Sequence, residues 1–329
     1  MIAARCSFCY YIRRGGGYTM SFQIIGDSCM DLTAAMEQDS AHFRTIPLRL
    51  EVGGTTITDD KRFQQADFLR RVKASPDCPK TACPSPEDFL HAFEEGPENL
   101  FVITLSEHLS GTFNAACIAK TLFEEKYGTG SKNIAVIGSD SGCAGETRLG
   151  LLCFDLCQSG VSFAETQERL RAYVPKLQTF FVLEDLSTLR KNGRLSGTAA
   201  FFATALNIKP VLYAVGGEIR KFDQARGVER ALRRMCAAAV EHAKKAGTLH
   251  GSFHGSFHDP KHDLLPADRI KNRTALPLRA VIAHCNAPDR AAFVREELLR
   301  LAPFDEIDIA PTHGVSTVYA SDGGIVVAI

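Results

Sequence analysis

Residues 22–32 read F-Q-I-I-G-D-S-C-M-D-L. Residues 22–26 form a short apolar run of strand length, Gly26-Asp27-Ser28 makes a turn, and Asp31 stands where it caps a helix beginning near Leu32. The same order of apolar run, polar turn and helical pattern recurs downstream. Residues 100–105 lead into the turn 106–112 and a helix, and residues 134–138 lead into a glycine-containing turn and a helix through 149–156. Residues 47–52 are a further strand-like run. Strands alternating with helices predict a mainly parallel sheet covered on both faces.

Ser85-Pro86-Glu87-Asp88 offers a cap, a proline at the first helical position and acids in the first turn. Ser162-Phe163-Ala164-Glu165 reads as a capping box, and the boundary between two domains is expected near Gly160. Beyond it come a Gly193-Arg194 turn, an apolar helix at 199–206, a Gly216-Gly217 hairpin and a helix at 228–246. A strand at 278–284, a helix at 289–301 and a terminal apolar run at 325–329 complete the pattern. The expected fold is therefore α/β in two domains. Residues 21–160 form an N-terminal three-layer domain around a mainly parallel sheet, and residues 161–329 form a C-terminal α+β domain with its helices largely on one face. Periodicity lapses at 247–277, where His-Gly-Ser-Phe occurs twice, so a flexible insertion is expected there.

The 329 residues exceed what one hydrophobic core usually holds. Basic and acidic side chains balance at 38 each, which disfavours a nucleic-acid partner, because phosphate neutralisation demands a basic excess. The 11 cysteines are scattered and odd in number, and several sit in apolar helical patterns, so reduced thiols and a cytoplasmic location are expected. No apolar run is long enough to span a bilayer. Residues 1–20, with three arginines and three consecutive glycines but no apolar segment, are expected to be a disordered extension.

Three turns carry hydroxyls at strand ends: Asp27-Ser28, the stretch 79–85 containing Thr81, and the stretch 106–112 containing Ser110, Gly111 and Thr112. Ligands of open α/β sheets bind at the carboxyl ends of strands. Hydroxyls with the free N–H groups of a helix start suit a carboxylate or phosphate. Taken singly, Ser85, Ser110 and Thr112 read as helix caps. A hydrolase or transferase using Ser110 or His313 is the competing reading, although no G-x-S-x-G elbow is present. No phosphate-loop or dinucleotide fingerprint occurs either, and no cofactor is expected. The histidines at 250, 254, 258 and 262 are interrupted by glycines and Pro260, so they predict a solvated loop and no metal site. Arg194, held in a glycine turn, is suited to forking onto a phosphate or a partner's carboxylate.

Taken in order, these segments resemble the DegV family of fatty-acid-binding proteins. Asp27-Ser28 to Asp31-Leu32 matches D-S-x-x-D-L, and residues 79–85 resemble P-K-T-S-Q-P-S, with Ala82 and Cys83 replacing Ser and Gln. Leu109-Ser110-Gly111-Thr112-Phe113 resembles L-S-G-T-Y, and Lys191-Asn192-Gly193-Arg194-Leu195-Ser196 resembles K-G-G-R-I-S. Residues 206–210 and Arg226-Gly227 follow suit. The resemblance implies a bacterial lipid carrier with a long-chain fatty acid between two domains, its carboxylate held by Thr81 and Ser110. It further implies presentation of the acid to an ATP-dependent fatty-acid kinase, with transient membrane contact and no chemistry by the carrier itself. Ser28, Gly111 and His313 would support the head group, and Arg194 would meet a phosphate or the kinase. A lipid sensor is the remaining alternative. The family's T-H-x-G-P-G turn is replaced here by Thr312-His313-Gly314-Val315-Ser316-Thr317.

Overall fold

The structure is a computed structural model that describes residues 20–195, 207–249 and 276–329. Expectations placed on residues 1–19, on the helix at 199–206 and on the histidines between 250 and 262 lie outside those residues.

The first half runs β1 (Phe22–Asp27), α1 (Ala34–Gln38), β2 (Phe43–Ile46), β3 (Arg49–Val52), β4 (Thr55–Thr58), α2 (Gln65–Ala74), β5 (Lys80–Ala82) and α3 (Pro86–Glu95). It continues with β6 (Asn99–Thr104), α4 (Thr112–Tyr127), β7 (Asn133–Gly138) and α5 (Ala144–Gln158). The second half runs α6 (Phe163–Tyr173), β8 (Thr179–Val182), α7 (Ser187–Lys191), β9 (Ile208–Val215), β10 (Glu218–Arg226) and α8 (Val228–Ala246). It ends with β11 (Arg279–His284), α9 (Pro288–Leu301), β12 (Glu306–Pro311), α10 (Gly314–Ala320) and β13 (Ile325–Ala328).

A wholly parallel sheet has the order β2-β1-β6-β7. Every residue of β6 is buried, as a strand covered on both faces requires. Leu100 and Val102 pack with Phe89 and Phe93 of α3 and Ala116 of α4, while Phe101 and Ile103 join Leu149 and Leu152 of α5. These are the three layers that the strand–helix alternation predicts.

A second, mixed sheet has the order β10-β9-β8-β13-β11-β12, antiparallel except between β11 and β12. Phe180, Val182, Ile282 and Val327 face α8 and α9, whereas Phe181, Val281 and Val326 turn into the cluster around α5. Every residue of α5 from Ala144 to Cys153 is buried, because protein covers that helix on all sides. Gly216 and Gly217 both take positive φ, 56° and 76°, as the tight hairpin joining β9 to β10 demands.

Some local expectations need correction. Asp31 does not cap α1; Thr33 does, its Oγ1 accepting the Met36 N–H at 3.3 Å. The run 47–52 and the expected turn 79–85 supply β3 and β5 of a separate antiparallel sheet, order β4-β3-β5. The pairing Leu50↔Thr81 leaves Leu50 buried with Phe68 and Val315, so packing draws this polar stretch into a sheet. Ser85 and Asp88 close a reciprocal capping box where a cap alone was expected, whereas at the expected box Ser162 accepts the Glu165 N–H and the Glu165 side chain pairs with Arg169.

Candidate functional site

The carboxyl ends of β1, β6 and β7 deliver Cys29, Leu105 and Ser141 to the wall of a cavity. The opposite wall comes from the second sheet, through Phe181, Ala214 and Val326. The cavity holds about 810 Å³ of space unfilled by atoms, part of it open to solvent, and its lining is predominantly apolar.

Thr81, Ser110 and Arg194 all line this cavity, although they come from a strand, a helix approach and a turn of the second half. Hydrogen bonds hold these segments together. The Asn192 side chain donates to the Pro79 carbonyl at 2.9 Å, and Arg194 Nε donates to the Leu109 carbonyl at 3.2 Å. Thr81 Oγ1 lies 2.9 Å from the Tyr319 hydroxyl, and Ser110 Oγ lies 2.9 Å from Thr112 Oγ1. Gly111 is the N-terminal cap of α4 and contributes no side chain; a Cβ there would stand 3.4 Å from Cys83 Sγ.

Ser28 and His313 lie elsewhere, in a second groove shared with Asp59. Ser28 Oγ accepts the Leu48 N–H at 3.0 Å, and His313 Nε2 approaches Glu37 at 3.4 Å. Ser106, two residues before His108, donates its hydroxyl to the Gly217 carbonyl. Among the described residues no serine–histidine hydrogen bond of the kind that activates a nucleophile is present.

Buried carboxyl groups organise the cavity wall. Asp27 accepts the N–H groups of Cys29 and Leu105, each at 2.9 Å, and so ties the ends of β1 and β6 together. Burial pushes its carboxyl up to about 7. Asp31 accepts the His313 N–H at 2.6 Å and the Cys143 thiol at 2.9 Å, and burial raises it to about 6. Asp59 accepts the N–H groups of Gly314 and Val315 at 2.7 and 2.8 Å, against burial that raises its carboxyl. The segment replacing Gly-Pro-Gly thus becomes the start of α10, capped by an acid 255 residues away in sequence. Sequence reasoning matched Asp27 and Asp31 without finding these roles, and it had no signal for Asp59 or Tyr319. No helix among the described residues is long and apolar enough to cross a membrane.

Fold and cavity define a class: an α/β protein with two main sheets, enclosing an apolar chamber with hydroxyls and a guanidinium in its wall. The chain belongs to the DegV family, whose sequence profile, described as "uncharacterised protein, DegV family", matches residues 21–258. A DegV domain-containing protein of Streptococcus pneumoniae is 30% identical over 311 residues, spanning 93% of this chain and 98% of that one. A DegV-family protein from Ruminococcus gnavus, solved with vaccenic acid, is 35% identical, with a TM-score of 0.81 over 94% of this chain and 100% of that chain. The fatty acid kinase B3 protein of Streptococcus pneumoniae, solved with linoleic acid, is 29% identical, with a TM-score of 0.75 over 94% and 99% of the two chains.

Proposed function

We propose that this protein binds a long-chain fatty acid in the cavity, with the carboxylate at Thr81 and Ser110, and presents it to a separate ATP-dependent fatty-acid kinase. The observation that carries this reading is the meeting of Thr81, Ser110 and Arg194 in the wall of one apolar chamber. The relatives solved with vaccenic and linoleic acid support it. Burying about fourteen methylenes contributes roughly 11 kcal/mol at about 0.8 kcal/mol each, before the cost of association. The hydroxyls then have one carboxylate to satisfy.

In this reading the carrier performs no chemistry, and the acyl phosphate forms in the kinase complex. Arg194 meets the phosphate or the kinase. Gly111 shapes the surroundings from the α4 cap, and Ser28 and His313 from the second groove. The protein works in the cytoplasm, touches membranes transiently to exchange lipid, and divides into two domains near Gly160.

The test is mass spectrometry of organic extracts from protein purified from bacteria and loaded with free acid. A near-equimolar long-chain fatty acid is expected. Its absence sinks the carrier reading, and turnover of an acyl ester would replace it with the hydrolase.

A further inference from the structure

Glu146 lies in the first turn of α5 and is fully buried, and neither of its carboxyl oxygens meets a hydrogen-bond donor among the described residues. An Asp27 oxygen, Cys29 Sγ and a Glu146 oxygen lie within 4.8 Å of one another. The titratable groups acting on this cluster are Asp27 from β1, Cys29 and Asp31 from the turn after it, and Cys143 before α5. Asp59 and His313 act on it through Asp27 and Asp31. The groups acting most strongly on Glu146 are carboxyls and a thiol. Two ionised carboxylates this close in a dry site repel strongly, and the nearby Cys29 thiol, a weak donor, offsets less of the Glu146 desolvation than burial imposes.

We infer that Glu146 is a positioning residue of the cavity wall: as a neutral acid it donates its proton to Asp27, and this bond keeps the ends of β1 and β6 closed around the ligand. The direction of donation follows from Asp27, whose two oxygens already accept backbone N–H groups, so that it is the first of the pair to ionise, as pH rises towards about 7. Burial, reinforced by Asp27, drives the Glu146 carboxyl well above its usual range. The two residues that Asp27 holds, Cys29 and Leu105, themselves line the cavity. A divalent cation is the competing occupant of the same donors, but Asp27 would have to share its engaged oxygens with it.

The folded protein holds protons that the unfolded chain releases above the ordinary carboxyl range, so stability falls as pH rises towards the folded values. Thermal melts of the ligand-free full chain between about pH 5.5 and about pH 9 read this directly. Wild type should lose melting temperature as pH rises. Glu146→Gln, whose amide donates without a proton to lose, should flatten the slope and melt above wild type at the alkaline end. Glu146→Ala should melt lower throughout, by roughly 2–4 °C or more. Parallel slopes for wild type and Glu146→Gln overturn the inference. So does a zinc-dependent rise in wild type that Glu146→Gln abolishes, since that assigns the cluster to a cation. Should Glu146→Gln fail to fold, the infrared carbonyl band of a protonated carboxyl in wild type at neutral pH decides, and its absence overturns the inference. A second arm rests on the fatty-acid reading: fatty-acid affinity should weaken as pH rises in wild type and depend less on pH in Glu146→Gln. If no fatty acid binds at all, that reading fails while the melt slopes stand.

Discussion

Thr81 and Ser110 enter the cavity wall by different routes, which is why exchanging them is informative. Thr81 sits on the edge of the small antiparallel sheet and touches Tyr319; Ser110 precedes the α4 cap and touches Thr112. Each hydrogen bond to a charged group contributes about 1.5–3 kcal/mol. Thr81→Val with Ser110→Ala should therefore lower fatty-acid affinity at least about tenfold while leaving the melt intact. Unchanged affinity in a folded variant would place the carboxylate elsewhere. Arg194 is the contrast. Two of its nitrogens already serve the carbonyls of Leu109 and Asn192, and its remaining donors suit the extra charge of an acyl phosphate. Arg194→Ala should bind fatty acid nearly as well as the parent and support acyl-phosphate formation by a kinase far less. These three residues were legible in the sequence as polar residues in turn-like contexts. Asp27 and Asp31 were legible only as a match to a family pattern, and Asp59 not at all, since an acid that accepts backbone N–H groups of distant segments leaves no local pattern.

Helix α10 depends on one distant side chain. It has seven residues, and its first two N–H groups are taken by Asp59, which is 1% exposed. Asp59→Ala would leave both donors buried without an acceptor, at a cost of about 2–4 kcal/mol in stability. Chemical denaturation measures this, and a loss well below about 1 kcal/mol would show that water replaces the cap. The long elements were legible from the chain because they carry their own signals. α8 has the helical pattern, α3 has the Ser85-Pro86 start, and the β9–β10 hairpin has Gly216-Gly217. The short polar strands were not. β5 is K-T-A, and β4 is largely exposed, so neither has an apolar run to read. β12 reads E-I-D-I-A-P at a sheet edge, a polar–apolar alternation that is legible but was not counted among the expected strands.

The cavity takes residues from the ends of the parallel sheet, the inner face of the mixed sheet and α10, so a ligand filling it bridges both main sheets. Binding to the folded state alone stabilises by about 2.7 kcal/mol at a hundredfold excess over Kd. Calorimetry with a long-chain fatty acid at that excess should raise the melting temperature by roughly 4 °C. No shift would mean that the chamber is not where the lipid sits. The alternation of strands and helices, the helix caps Ser85 and Ser162 and the glycine turns were settled by the sequence. Each depends on side-chain period and backbone freedom over a few residues, and these survive without the rest of the chain. The joining of Pro79 to Asn192, the capture of α10 by Asp59 and the meeting of Asp27 with Glu146 were decided only in three dimensions. Those contacts span large separations in sequence, and their energies exist only once packing has excluded water and brought the groups together.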